Sequence, residues 1–232
     1  VRLAAMRSVL QICGIAMIFS ALRFLPLADA VAIAFVMPFI MLILGHYVLG
    51  EEVGPRRLAA CTVGFIGTLM VVQPSFAAVG WPALLPLAVA VVFALFMLVT
   101  RQIAKEIDPI ALQGLGGIIG LPLLGALWFL PAMGDSPPLI GWIAPPDQGA
   151  LWLLLALGIT GSLGHLLMSW SLRFAPASTL APMQYLEIPM AALVGLGLFA
   201  EFPNGLALAG IGVTIAAGLY IVARERRLSR AD

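Results

Sequence analysis

Apolar residues dominate this chain in eight long runs, at about 5–22, 28–49, 56–73, 82–100, 109–130, 150–172, 177–200 and 205–223. Each is near the roughly 20 residues that a helix needs to cross about 30 Å of hydrocarbon. Turn-forming clusters separate them: "LPLAD", "EEVGPRR", "QPSFAAVGWP", "KEIDP", "GDSPPLIGWIAPPDQG", "RFAPAS" and "EFPNG". The runs do not alternate between apolar and polar positions, which disfavours a membrane β-barrel. Helices pair every backbone group internally, as lipid demands. The pattern therefore predicts an all-α, polytopic membrane protein, a bundle of eight transmembrane helices.

Composition agrees. Of 232 residues, 62% are hydrophobic and only 10% charged, with a mean hydropathy of +1.09. A soluble domain carries about 25% charged residues. The net charge of +1 names no partner, and no basic cluster of nucleic-acid type precedes the tail. Cys13 and Cys61 lie in apolar runs and give neither a disulfide framework nor a metal spacing. The bilayer and a small-molecule substrate are the expected partners; no cofactor, metal or nucleic acid is expected, and a homodimer is left open.

The charges fall unevenly between loops. If the N-terminus is cytoplasmic, Arg2, Arg7, Arg56, Arg57, Arg101, Lys105, Arg173, Arg224, Arg226, Arg227 and Arg230 lie on the cytoplasmic side and Arg23 alone outside. The bias of eleven against one places both termini in the cytoplasm. The longest loop, 131–149, is then external and carries Asp135 and Asp147. The basic tail, "RERRLSR", sits at the headgroups.

Residues 21–72 and 171–222 align at a fixed offset of 150. Leu22, Arg23, Phe24, Pro26, Gly45, Glu51, Leu58, Ala59, Val63, Leu69 and Val72 each meet their own residue type, eleven matches in 52. The shared "LRF-x-P" falls outside in one copy and inside in the other, so the copies are inverted, as in many secondary transporters. An inverted repeat needs an odd number of helices per copy. The second copy has five and the first only three. Equal copies would require about 65 further residues, two spans with their turns, ahead of Val1. The expected organisation is an incomplete first repeat at 1–75, a five-helix second repeat at 80–223 and a basic cytoplasmic tail at 224–232.

The blocks "LRFLPLADAVAIAFVMPFIMLILGHYVLGEEVGPRRLAACTVGFIGTLMVVQP" and "GHLLMSWSLRFAPASTLAPMQYLEIPMAALVGLGLFAEFP" resemble the drug/metabolite transporter superfamily, specifically its EamA-domain branch. The resemblance implies a bacterial inner-membrane carrier of two inverted five-helix halves. Members move amino acids, nucleotide-type metabolites, vitamins or drugs. This chain departs from the pattern in its absent first helix pair and in "FAE", where the family commonly has "GE".

Polar residues inside the apolar runs are the candidate substrate site. Glu187, about eleven residues into its run, is near the bilayer middle, where an ionised carboxylate costs a few kcal/mol. It must be protonated, paired or facing water, and could exchange a proton during transport. Gln184, three residues earlier, shares its helical face; Tyr185 points elsewhere and is assigned to the cavity rim. Pro182 and Pro189 flank them and disturb backbone hydrogen bonding. His165 is mid-run between Ser162 and Ser169, His46 near the end of its run. Trp170 is a stacking surface or an interface anchor. Gln113 and Gln11 are polar points on apolar helices. Against each stands a plain reading as a hydrogen-bonded packing residue. Glu51 with Arg56 and Arg57 reads as a solvated loop group, and dense glycines at 114–120 and 158–164 as close helix packing.

The expectation is a secondary transporter of a small polar metabolite, amino-acid-, nucleotide- or vitamin-like, working by alternating access with a proton as candidate coupling ion. HExxH, GxSxG and P-loop patterns are absent, so neither intramembrane catalysis nor direct ATP drive is expected. A lipid flippase, a non-transporting scaffold and an inactive truncated relative are the alternatives.

Overall fold

A computed structural model describes residues 2–75, 80–128, 147–200 and 202–228. Asp135, Glu201 and Arg230 lie outside them. The described residues form helices and no strands. In order these are α1 (Arg2–Ala21), α2 (Leu27–Ala34), α3 (Met37–Leu49), α4 (Pro55–Val72), α5 (Leu84–Ile103), α6 (Pro109–Trp128), α7 (Gln148–Phe174), α8 (Ala177–Leu180), α9 (Glu187–Phe199) and α10 (Gly205–Leu228). Short 3₁₀ segments lead into α5 (Trp81–Ala83) and join α8 to α9 (Ala181–Leu186). Among the described residues all eight predicted runs are helical, and seven are long and apolar enough to span a bilayer. The exception is 177–199, which the 3₁₀ segment cuts short of one continuous helix. The chain is a multi-pass membrane protein.

Two runs predicted as single helices are broken, and proline is the reason. Pro38, at the start of α3, offers no N–H to the carbonyl of Ala34. The amide of Phe39 turns to Val36, at 3.0 Å, which also releases the carbonyl of Phe35. In the second run Pro182 removes a donor within the stretch that becomes 3₁₀, and Pro189, in the first turn of α9, removes the one that would reach back to the carbonyl of Tyr185. The breaks recur at the offset of 150, and so do the helix boundaries. Pro26 and Pro176 precede α2 and α8 in similar extended conformations. Gly50 and Ala200 close α3 and α9 in the left-handed region, at φ 65° and 55°.

Inside a bilayer, helices gain little from hiding apolar surface from one another, so close packing of small residues holds them. α4 and α10 show this. Gly67 meets Gly210, and the end of α4 meets the start of α10, so the two run antiparallel. A Cβ on Gly210 would come 2.6 Å from the carbonyl oxygen of Gly67. Gln73 and Asn204 exchange amide hydrogen bonds at one end of this pair, at 2.9 and 3.2 Å. α1 packs along α5, with Gly14 against the ring of Phe93. The core between α3, α4, α5, α7 and α8 is filled by Met41, Leu42, Cys61, Phe96, Leu172 and Tyr185, all buried. α7 is the contrast: every residue from 151 to 164 is exposed, including Trp152 and Leu153.

Candidate functional site

A cavity of about 690 Å³ lies among the middle turns of α5 and α7, the end of α1, the break between α2 and α3, and the segment joining α8 to α9. Its wall is mostly apolar. Phe35 and Phe93 contribute rings, and Met37, Met97, Met168 and Met183 contribute thioethers. The polar side chains of the lining are His165, Ser171, Gln184 and Glu187.

Glu187 reaches this wall because the chain changes from 3₁₀ to α-helix at its position. Its side chain is exposed to the cavity, and no described residue bonds or pairs with its carboxylate. Gln184 lies one 3₁₀ turn earlier and donates weakly to the sulfur of Met41, at 3.4 Å, which leaves its carbonyl oxygen available. His165 is half-buried on α7 and sets its ring edge-to-face on Phe96, with centroids 5.5 Å apart.

The other sequence candidates lie elsewhere. Tyr185 is fully buried behind the wall; its hydroxyl donates to the freed carbonyl of Phe35 at 3.1 Å, and its ring packs on Phe35, Phe65 and Gly64. This joins the two helix breaks directly, through residues 150 positions apart. Gln113 is on α6, away from the cavity, and accepts from Arg7. Trp170 stands on an exposed side of α7. His46 is exposed in the last turn of α3, with Nδ1 3.2 Å from the carbonyl oxygen of Glu51.

Two residues depart from their sequence reading. Arg7, counted among the cytoplasmic cations, has no exposed surface. Its Nε donates to Thr100 Oγ1 at 3.1 Å, and its Nη2 to Gln113 Oε1 and Ser169 Oγ at 3.4 Å each. The guanidinium lies over Phe96, 4.8 Å from the ring centroid, and Nη1 has no hydrogen-bond partner among the described residues. Four helices thus close around one cation, three residues along α5 from Met97 of the cavity wall. The local sequence hides this, because the partners are 93 to 162 residues away. Glu51, read as a solvated loop carboxylate, instead accepts from the amides of Ala177 and Ser178, at 3.0 and 2.8 Å, and lies 3.5 Å from Arg101. Arg101 also donates to the carbonyls of Leu172 and Arg173. These bonds tie the ends of α3, α5 and α7 to the start of α8.

Known proteins are similar to this chain along most of its length. The model of the EamA-like transporter family matches residues 1–73 and 80–223. A riboflavin transporter of Rhizobium johnstonii is 27% identical over 97% of this chain and 71% of its own length. A second riboflavin transporter, of Brucella anthropi, is 26% identical over 98% and 78%. An S-adenosylmethionine uptake transporter of Rickettsia bellii is 25% identical over 87% and 66%. One crystal structure, 18% identical, superposes with a TM-score of 0.68 over 97% of this chain and 88% of the other, a likeness of fold. Matched along both of its halves, the chain belongs to the EamA-like transporter family.

Proposed function

We propose that this protein carries a small organic metabolite across a bacterial inner membrane by alternating access, with the substrate held in the central cavity. The observation that carries this reading is Glu187: a carboxylate on an apolar wall, accessible from the cavity and without a partner among the described residues. An intramembrane ionisable group in such a position serves a substrate or ion pathway in most membrane proteins. The transporter names of the relatives support a carrier role.

The two halves act as inverted repeats. In support, helix breaks and left-handed helix ends recur at the offset of 150, and the equivalent helices α4 and α10 run antiparallel. The breaks meet at Phe35 and Tyr185, beside the cavity, where one half can rock against the other. Both termini are cytoplasmic by the loop charges. Bound substrate shifts the balance of inward- and outward-open states through contacts that differ between them.

Glu187 is the proton-exchanging group. The other titratable side chain of the lining is His165; Tyr185 and Cys61 are buried behind the wall and Arg7 behind Phe96. Uptake of riboflavin and S-adenosylmethionine into proteoliposomes, with and without an imposed pH gradient, tests the reading. Glu187→Gln is expected to abolish pH-driven uptake while the protein still elutes as one folded species. Saturable, pH-driven uptake that survives the substitution dismisses the proton role. A scaffold would show no saturable uptake of any compound.

A further inference from the structure

The charges around the cavity are one-sided. Its described lining holds the carboxylate of Glu187 and contains no lysine or arginine. Arg7 is fully buried in a shell of its own, bonded to the neutral oxygens of Thr100, Gln113 and Ser169 with its guanidinium over the ring of Phe96, and is not part of the described lining. Phe96 also sets its ring against His165 of the lining. No described cation is placed to neutralise Glu187.

The rest of the lining suits a flat, polarisable body. Phe35 and Phe93 are aromatic members of the lining, and aromatic rings attract cations. The thioethers of Met37, Met97, Met168 and Met183 are soft, and their unbranched side chains adapt to irregular aromatic shapes. A volume of about 690 Å³ fits within the size range of small-molecule pockets. Gln184 and His165 can each present a donor and an acceptor to the edge of a heterocycle.

We propose that the cavity selects by charge: it takes flat organic molecules that are neutral or cationic, sets their cationic or N–H edge against Glu187, and rejects the same skeleton once it bears a phosphate. This deepens the transport reading and rests on the cavity being the substrate site. The physical reason is that a cationic edge pairs with the carboxylate of Glu187 and favours its ionised form, whereas a phosphate entering a described lining without lysine or arginine gives up its hydration for no opposite charge.

Matched ligands test it, bound at equilibrium to the purified protein in lipid nanodiscs. S-adenosylmethionine and S-adenosylhomocysteine differ by one methyl group and a positive charge on sulfur. Riboflavin and riboflavin 5′-phosphate share a ring system and differ by the phosphate. The first member of each pair is expected to bind at least about tenfold more tightly, and Glu187→Gln is expected to bring the S-adenosyl pair within about threefold of each other. Equal or tighter binding of the phosphate ester overturns the proposal. An S-adenosyl preference unchanged by Glu187→Gln overturns it too, as does failure of all four ligands to bind at millimolar concentration. The two readings fail separately. Charge-selective binding without saturable uptake would remove the transport reading alone. Saturable uptake of an anionic metabolite would remove the charge rule alone.

Discussion

Arg7 lies in the second turn of α1 with no exposed surface; Glu187 opens α9 with its carboxylate accessible from the cavity. Both are ionisable groups on apolar helices, and both are expensive there. The bundle surrounds the cation with hydroxyl, amide and aromatic partners drawn from α5, α6 and α7. It gives the anion none among the described residues. The difference separates two uses of polarity in a membrane. A charge that is enclosed holds helices together and sits outside the reach of a ligand. A charge left open on a cavity wall is available to one.

The comparison breaks most visibly if the enclosed layer is given the opposite charge. Arg7→Glu sets a carboxylate among Thr100, Gln113 and Ser169 with no cation beside it, which costs several kcal/mol. The expected result is loss of folded protein, read as yield and elution profile in detergent. Arg7→Met is the informative companion. It keeps the length and removes the charge, and replacing buried ionic groups by apolar ones of like volume is often neutral or stabilising by about 1–4 kcal/mol. Thermal unfolding of Arg7→Met is therefore expected at or above the midpoint of the parent protein. A markedly lower midpoint would mean that the guanidinium bonds contribute more than burying it costs.

How much of this was legible in the sequence follows from the same physics. Eight helical runs were readable because lipid thickness imposes a length and water imposes polar turns between spans. The breaks at 35–36 and 181–186 were only half readable. Pro182 and Pro189 were visible as disturbances, while the effect of Pro38 on its own run was not, since a proline near a helix start and one that splits a span look alike in one dimension. Glu187, Gln184 and His165 stood out as polar points in apolar runs, and all three line the cavity. Trp170 and His46 stood out equally and face elsewhere. Helices that are apolar all round carry little amphipathic signal, so the sequence does not say which face meets a cavity. The burial of Arg7 was hidden for another reason. Arg7 was counted only as one of the cytoplasmic cations, and its partners lie on helices 93 to 162 residues along the chain.

A milder cut probes the junction of the two broken runs. Tyr185→Phe keeps the ring in the core and removes the donor to the carbonyl of Phe35, a group that already lost its helical partner. A buried acceptor left unsatisfied costs about 1–3 kcal/mol. Thermal unfolding is expected to fall accordingly, with ligand affinity changed less than by Glu187→Gln. A Tyr185→Phe protein as stable as the parent would show that water reaches the Phe35 carbonyl from the cavity.

The smallest expected effects come from trimming the shell of Arg7 one bond at a time. Thr100 receives the Nε proton at 3.1 Å, while Ser169 receives Nη2 at 3.4 Å and shares that nitrogen with Gln113. Both hydroxyls also donate to carbonyls four residues back, Thr100 to Phe96 and Ser169 to His165, so each substitution removes one acceptor from the guanidinium without stranding a donor of its own. Hydrogen bonds to charged groups contribute about 1.5–3 kcal/mol. Thr100→Val, which removes the shorter, unshared bond, should approach that range. Ser169→Ala should fall below it, because Gln113 still serves the same nitrogen. The order of the two unfolding midpoints is the measurement. If Ser169→Ala proved the more damaging, the long bond would be the one that holds α7 to α1, and the enclosure of Arg7 would depend on the bare helix rather than on α5.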